Sequence, residues 1–172
     1  MPKRLIFAGC AGSGKDFLRD GFNEAGFVCD VSLTTRPPRD SEKPGYTYKY
    51  LSDAEFQAVE DAGGLYENVS FNGWRYGTAK ESWETSDVFI MTPSGLAQVS
   101  PEDRADSLVV YLDIPEDVRR KRIAKRNDAD KVDRRIEADR KDFEDFEDFD
   151  MRVCDPFFDR EKLVNTLRGA LA

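Results

Sequence analysis

The run GCAGSGKD, Gly9 to Asp16, fits the pattern G-x-x-x-x-G-K, directly after the apolar run RLIFA and directly before a helical pattern. In that setting small residues let backbone N–H groups turn inward around a phosphate. Lys15 adds a mobile positive charge, and the helix N-terminus adds its partial positive end. The chemistry is capture of the phosphates of ATP by Gly9, Ala11, Gly12, Ser13, Gly14, Lys15 and Asp16. Asp16 stands where a Ser or Thr hydroxyl holds magnesium in this motif. A carboxylate is also a hard oxygen donor, so Asp16 is a candidate Mg2+ ligand; the alternative is that it only complements the positive end of its helix.

A second set of charges lies in SLTTRPPRDSEKPGYTYKY, Ser32 to Tyr50, where Arg36 and Arg39 sit on a proline-stiffened loop with tyrosines at 46, 48 and 50 nearby. Two arginines on stiff backbone suit bidentate capture of a dianionic phosphate, against the alternative of surface ion pairing and packing. A third set is VRRKRIAKRNDADKVDRRIEADRK, Val118 to Lys141, followed by the acidic block FEDFEDFD. Most of those charges read as solvated helix faces with i,i+4 pairs, Arg119, Arg120, Lys121 and Arg140 among them.

The elements that must position these residues follow from periodicity. Arg4 to Ala8 reads as a strand stopped by Gly9, and Phe17, Leu18 and Phe22 form one helical face closed by Gly26. A second strand is expected over Phe27 to Val31, and the alternation in YTYKYL suggests an exposed strand. Ser52 with Glu55 makes a capping box for a helix running to Ala62, ended by Gly63 and Gly64. LYENVSF, NGW and RYGT read as strand, turn and return. Val88 to Met91, Leu108 to Leu112 and Arg152 to Cys154 supply further strands, and Phe143, Phe146 and Phe149 read as a core stripe beneath acidic pairs. Strands alternating with helices predict a parallel sheet flanked by helices, interrupted by a segment that breaks the rhythm between about 32 and 78.

The composition narrows the chemistry. With 172 residues the chain suits one core, and no apolar run is long enough to span a membrane, so a cytoplasmic protein is expected. The three cysteines are unevenly spaced and there is no histidine, which argues against zinc, disulfides and hydrolase triads. A net charge of -8 argues against a nucleic-acid partner.

The run T-T-R-x-P-R-x-x-E-x-x-G-x-x-Y from Thr34 to Tyr48 resembles the signature of guanylate kinases. ENVSFNGWRYGT, Glu67 to Thr78, resembles that family's second substrate segment. The resemblance covers nearly the whole chain and rests on three motifs. It implies a P-loop NTPase-type α/β fold: a parallel five-stranded sheet (core 1–31 and 79–172), an inserted NMP-binding subdomain of about 32–78, and a helical lid of about 122–140. It implies transfer of the ATP γ-phosphate to GMP or dGMP with Mg2+, with no membrane partner, by a monomer or homodimer. Carried over by position, Arg36, Arg39, Tyr48 and Tyr76 hold the monophosphate, with Glu42 organising the arginines. Glu67 accepts from guanine N1–H and the amino group, while Ser32 and Thr78 donate to O6. Lys15, Arg39, Arg126 and Arg135 act on the transferred phosphoryl group, with Arg122 and Arg134 as neighbours of the lid arginines. Three positions depart from the pattern: Thr92 where an acidic residue is usual, Ser41 for Gly and Thr47 for Asp. Two other readings stay open, a kinase of ribose 1,5-bisphosphate and a non-catalytic binding module.

Overall fold

The strongest apolar runs become the innermost strands. In the computed structural model, which describes residues 1–126 and 132–171, β1 (Arg4–Ala8) is buried along its length from Leu5 onward. Four strands make one parallel sheet in the order β6 (Val88–Ile90), β1, β7 (Ser107–Leu112), β8 (Met151–Val153). The β1–β7 register pairs Leu5 with Leu108 and Phe7 with Val110. Strands buried on both faces need unbroken hydrophobic runs, and the sequence supplies them.

The expected five-stranded sheet is corrected to four. Of the strand foreseen over Phe27 to Val31, only Cys29 pairs, in a single parallel bridge to Val88. The Asp87 carboxylate takes the Val28 N–H at 2.8 Å, and Val28 O accepts from the backbones of Asp87 and Val88. The Val28 N–H is thus committed to a side chain, and Val28 is exposed.

Helix α1 (Lys15–Glu24) buries Leu18 and Phe22 against this sheet; Phe22 meets Phe7 at 5.7 Å and Phe27 at 5.3 Å between ring centres. Helix α8 (Arg160–Arg168) adds Leu163, Val164 and Leu167 to the same core. Each such side chain removed from water contributes roughly 1.5–3 kcal/mol. The chain separates into two compact units, Met1–Cys29 with Asp87–Ala172, and Asp30–Ser86.

The second unit carries its own sheet, in the order β3 (Lys49–Tyr50), β2 (Leu33–Thr34), β5 (Trp74–Ala79), β4 (Leu65–Phe71). The β4–β5 hairpin turns at Asn72 and Gly73, both at positive φ. Helix α2 (Asp53–Asp61) carries the foreseen capping box: Ser52 and Glu55 each accept the other's backbone N–H. Of YTYKYL only Lys49 and Tyr50 pair as strand. Helix α3 (Lys80–Thr85) packs Trp83 flat on Tyr66, with ring centres 4.0 Å apart.

Back in the first unit, α4 (Pro93–Leu96) and α5 (Pro101–Ala105) precede β7, and α6 (Glu116–Ala124) and α7 (Val132–Asp142) follow it. The lid expected over 122–140 falls on α6 and α7, and its residues 127–131 lie outside the described residues. Phe143, Phe146 and Phe149 come after α7 and gather half-buried around Tyr111, with ring centres 5.2–5.5 Å from it.

Candidate active site

The loop between β1 and α1 keeps its shape through contacts a larger backbone could not make. A Cβ on Gly9 would lie 2.6 Å from Ser13 Oγ and 2.9 Å from Leu112 O. Gly14 caps α1 at φ 96°, in the left-handed region that favours glycine. Ser13 is buried, and its Oγ finds no hydrogen-bond partner among the described residues. The Lys15 ammonium donates back to the carbonyls of Gly9 and, at 3.2 Å, Cys10. Loss of water lowers the Lys15 pKa, while the carboxylates of Asp139 and Asp16 pull it back up. Burial pushes the neighbouring Cys10 thiol up to about 11, so it stays protonated and inert.

Asp16 is exposed on the first turn of α1, its carboxylate 3.5 Å from the Arg19 guanidinium. Among the described residues no group of three or more acidic or cysteine side chains converges on a metal position. The exposed Asp16 carboxylate is itself a hard oxygen donor of the kind magnesium takes, an ion that keeps several waters and is held by one or two protein carboxylates plus substrate phosphates. Thr92 serves the backbone, because its hydroxyl accepts the Gly95 N–H at 3.1 Å and so caps α4.

The basic helices divide by role. Arg122 donates to Gly12 O at 3.0 Å and to Pro156 O, tying α6 to the loop between β1 and α1 and to the segment after β8. Arg119 donates to Ile114 O at 2.9 Å rather than joining a surface pair. Arg120 and Arg140 do form such pairs, both with Glu116. Arg126 is exposed just beyond α6, and Arg134 is exposed on α7. Arg135, half-buried on α7, lies close enough to Lys15 for its charge to act on it. The sequence reading missed Asp139, a buried carboxylate whose Oδ2 accepts the Ala11 N–H at 2.8 Å. Its signal was there, since Val132, Ile136 and Asp139 share one helical face and an acid on an apolar face must find a donor.

In the second unit the arginine loop is built around Glu42. Arg36 grips it with two bonds of 2.8 Å, and the Arg39 backbone N–H adds a third at 2.9 Å. Burial would raise the Glu42 carboxyl, but these donors hold it down at about 2. Tyr48 lies under Arg36, 5.4 Å from its guanidinium carbon, and meets Tyr76 at 6.0 Å. Arg36, Glu42, Tyr48 and Tyr76 therefore come together, with the backbone of Arg39 beside them.

Glu67 and Thr78 face each other across β4 and β5, and both are buried. Thr78 donates its hydroxyl to Glu67 Oε1 at 2.8 Å. Burial raises the Glu67 pKa to about 6, the Thr78 bond opposes this, and the charge of Asp30 adds to it. Ser32 donates to buried Asp30 at 2.6 Å, and Ser82 donates to its other oxygen. Asp30 is a second residue that the sequence reading passed over; nothing in its neighbours' spacing marks it.

A family model described as "Guanylate kinase" matches residues 1–170. A stretch of 80 residues is 40% identical to the guanylate kinase of Nitrosococcus oceani, covering 45% of this chain and 39% of that one. Protein PALS2 of Mus musculus is 37% identical over 83 residues, 46% of this chain and 15% of its own. The guanylate kinase of Chlamydia muridarum is 40% identical over 85 residues, 47% of this chain and 41% of its own. The chain thus spans less than half the length of these curated relatives. The crystal structure of guanylate kinase from Anaplasma phagocytophilum superposes with a TM-score of 0.71 over 98% of this chain and 84% of that one, at 18% identity, a likeness of fold. With the family model running from the first residue to residue 170, the chain belongs to the guanylate kinase family.

Proposed function

We propose that the chain is an ATP- and Mg2+-dependent kinase that converts GMP or dGMP to the diphosphate in the cytoplasm. The observation that carries this reading is the Arg36–Glu42 grip under Tyr48 and Tyr76, an anion site additional to the phosphate loop. A guanidinium fixed on one edge by a carboxylate keeps its remaining N–H groups aimed and is pre-organised for a dianion. Glu67, buried and ionised at neutral pH, would accept from two adjacent donors on a base, as guanine N1–H and its amino group provide. Adenine would leave it poorly paired.

In the reaction an oxygen of the bound monophosphate attacks the γ-phosphorus of ATP, the bond to the β–γ bridging oxygen breaks, and ADP leaves with the electron pair. The monophosphate dianion is itself the nucleophile, so no histidine or other general base is required. Lys15 and the loop amides would hold the β- and γ-phosphates. Arg39, Arg126 and Arg135 would neutralise charge on the phosphoryl group in flight, and the segment 122–140 would act as the lid. Asp16 would hold magnesium, directly or through water; when bound, the ion supplies charge neutralisation on the β- and γ-phosphates.

The test is ADP release from Mg-ATP against ribo- and deoxyribonucleoside monophosphates, with ribose 1,5-bisphosphate included. Turnover confined to GMP or dGMP is expected; turnover with the sugar phosphate alone overturns the acceptor assignment. A second reading, a binding module, draws on Thr92, which caps a helix where the family usually has an acid. It predicts no Mg-dependent ATP binding, so isothermal titration with Mg-ATP separates the two.

A further inference from the structure

The inward face of α7 meets the phosphate loop in two ways. Val132 and Ile136 form an apolar cluster with Ile123 of α6, and Ala11 packs against it. The same residue, Ala11, gives its backbone N–H to Asp139 Oδ2 at 2.8 Å. Asp139 is 6% exposed, so its carboxylate has given up most of its water and depends on donors and nearby positive charge. Lys15 supplies that charge from the loop side.

Arg135 stands one turn before Asp139 on α7, at i and i+4, so the two side chains project from neighbouring positions on the helix. A bond that fixes Asp139 on the loop therefore also fixes the height and rotation of Arg135. Arg135 and Asp139 act on the Lys15 ammonium with opposite sign, as expected where all three charges share one locality.

We propose that Asp139 is a positioning residue: by accepting the Ala11 N–H it seats α7 on the phosphate loop and holds Arg135 beside Lys15. The kinetic consequence rests on the kinase reading above; the structural one stands without it. A small displacement of an arginine that stabilises a transferring phosphoryl group lowers turnover far more than it weakens binding of the acceptor.

The test uses Asp139→Ala, which removes the acceptor, and Asp139→Asn, which keeps an amide oxygen where the carboxylate oxygen was. Two quantities are read: hydrogen exchange of the Cys10–Gly12 backbone in the full chain without nucleotide, and kcat and KM with Mg-ATP and GMP. Asp139→Ala is expected to speed exchange at Ala11 and to lower kcat about tenfold or more while the GMP KM changes less than about twofold. Asp139→Asn is expected to restore most of both. Unchanged Ala11 exchange in Asp139→Ala, unchanged kcat, or an Asn variant as impaired as the Ala variant would each overturn the assignment. If the wild-type chain phosphorylates no acceptor, the kinase reading fails while the exchange measurement still decides whether Asp139 seats the loop.

Discussion

Thr78 gives its only hydroxyl hydrogen to Glu67 Oε1 at 2.8 Å, and both residues are buried. Ser32 does the same to Asp30. Each hydroxyl can then offer a ligand only lone pairs until it rotates. The carry-over by position had both hydroxyls donating to guanine O6. On the kinase reading proposed above, acceptors would select for the donors of guanine, its N1–H and amino group, and the weight of base choice would fall on Glu67. Glu67→Gln places an amide there, which cannot accept from both donors without offering a hydrogen of its own. The preference for GMP over AMP in kcat/KM is expected to fall by about 10–100-fold while the protein stays folded. Steady-state kinetics with both nucleotides check this, and an unchanged ratio would remove Glu67 from the pocket.

The same carboxyl gives a pH signature. Burial raises it to about 6 from an ordinary 4.5, so the fold holds this proton more tightly than the unfolded chain does. The stability that follows is fully present below pH 4.5 and is lost as pH rises through 6, about 2 kcal/mol for this group. Measured against Glu67→Gln, the wild type should therefore lose relative stability between pH 4.5 and 7. If Glu67 accepts from guanine it must be ionised, so the GMP KM should rise below about pH 6 more steeply in the wild type than in Glu67→Gln, where only the titration of the GMP phosphate remains.

Glu42 behaves in the opposite sense. Its donors hold it down at about 2, so its contribution is present above pH 4.5 and is lost as pH falls towards 2. Glu42→Gln keeps the shape but removes the charge facing Arg36, whose side chain is 6% exposed. Leaving a buried guanidinium without its counter-charge costs about 3 kcal/mol. The GMP KM should rise about tenfold because the guanidinium loses its fixed orientation. Denaturant unfolding and KM measurements on one preparation separate the two effects.

Where local rules suffice, the sequence already contained the answer. The tight β1–α1 loop, the Ser52–Glu55 box and the Asn72–Gly73 hairpin each follow from residues within a few positions of one another. The strand foreseen over Phe27 to Val31 failed because Asp87, distant in sequence, takes the Val28 N–H. The partners of Ser32, Thr78 and Ala11 were likewise hidden, since each is fixed by tertiary packing that no spacing rule reaches. Asp139 falls between these cases. Its place on the apolar face of α7 was legible, its acceptance of a phosphate-loop amide was not.

Asp16 admits two roles that one substitution separates. Its carboxylate is exposed and 3.5 Å from Arg19, in the first turn of α1, where a negative charge favours the helix by about 0.3–1 kcal/mol. If that were its whole contribution, Asp16→Asn would lower Tm slightly and leave the magnesium dependence of turnover unchanged. A hard oxygen ligand beside the ATP phosphates predicts the reverse. The magnesium concentration at half-maximal rate should rise about tenfold, and stability should change little because asparagine matches the carboxylate in shape. Loss of the ion pair with Arg19, a contact within the protein alone, would appear as a change in stability and not as a tenfold change confined to magnesium. A titration of rate against magnesium at saturating ATP and GMP, beside a thermal melt, assigns the carboxylate to the metal or to the helix.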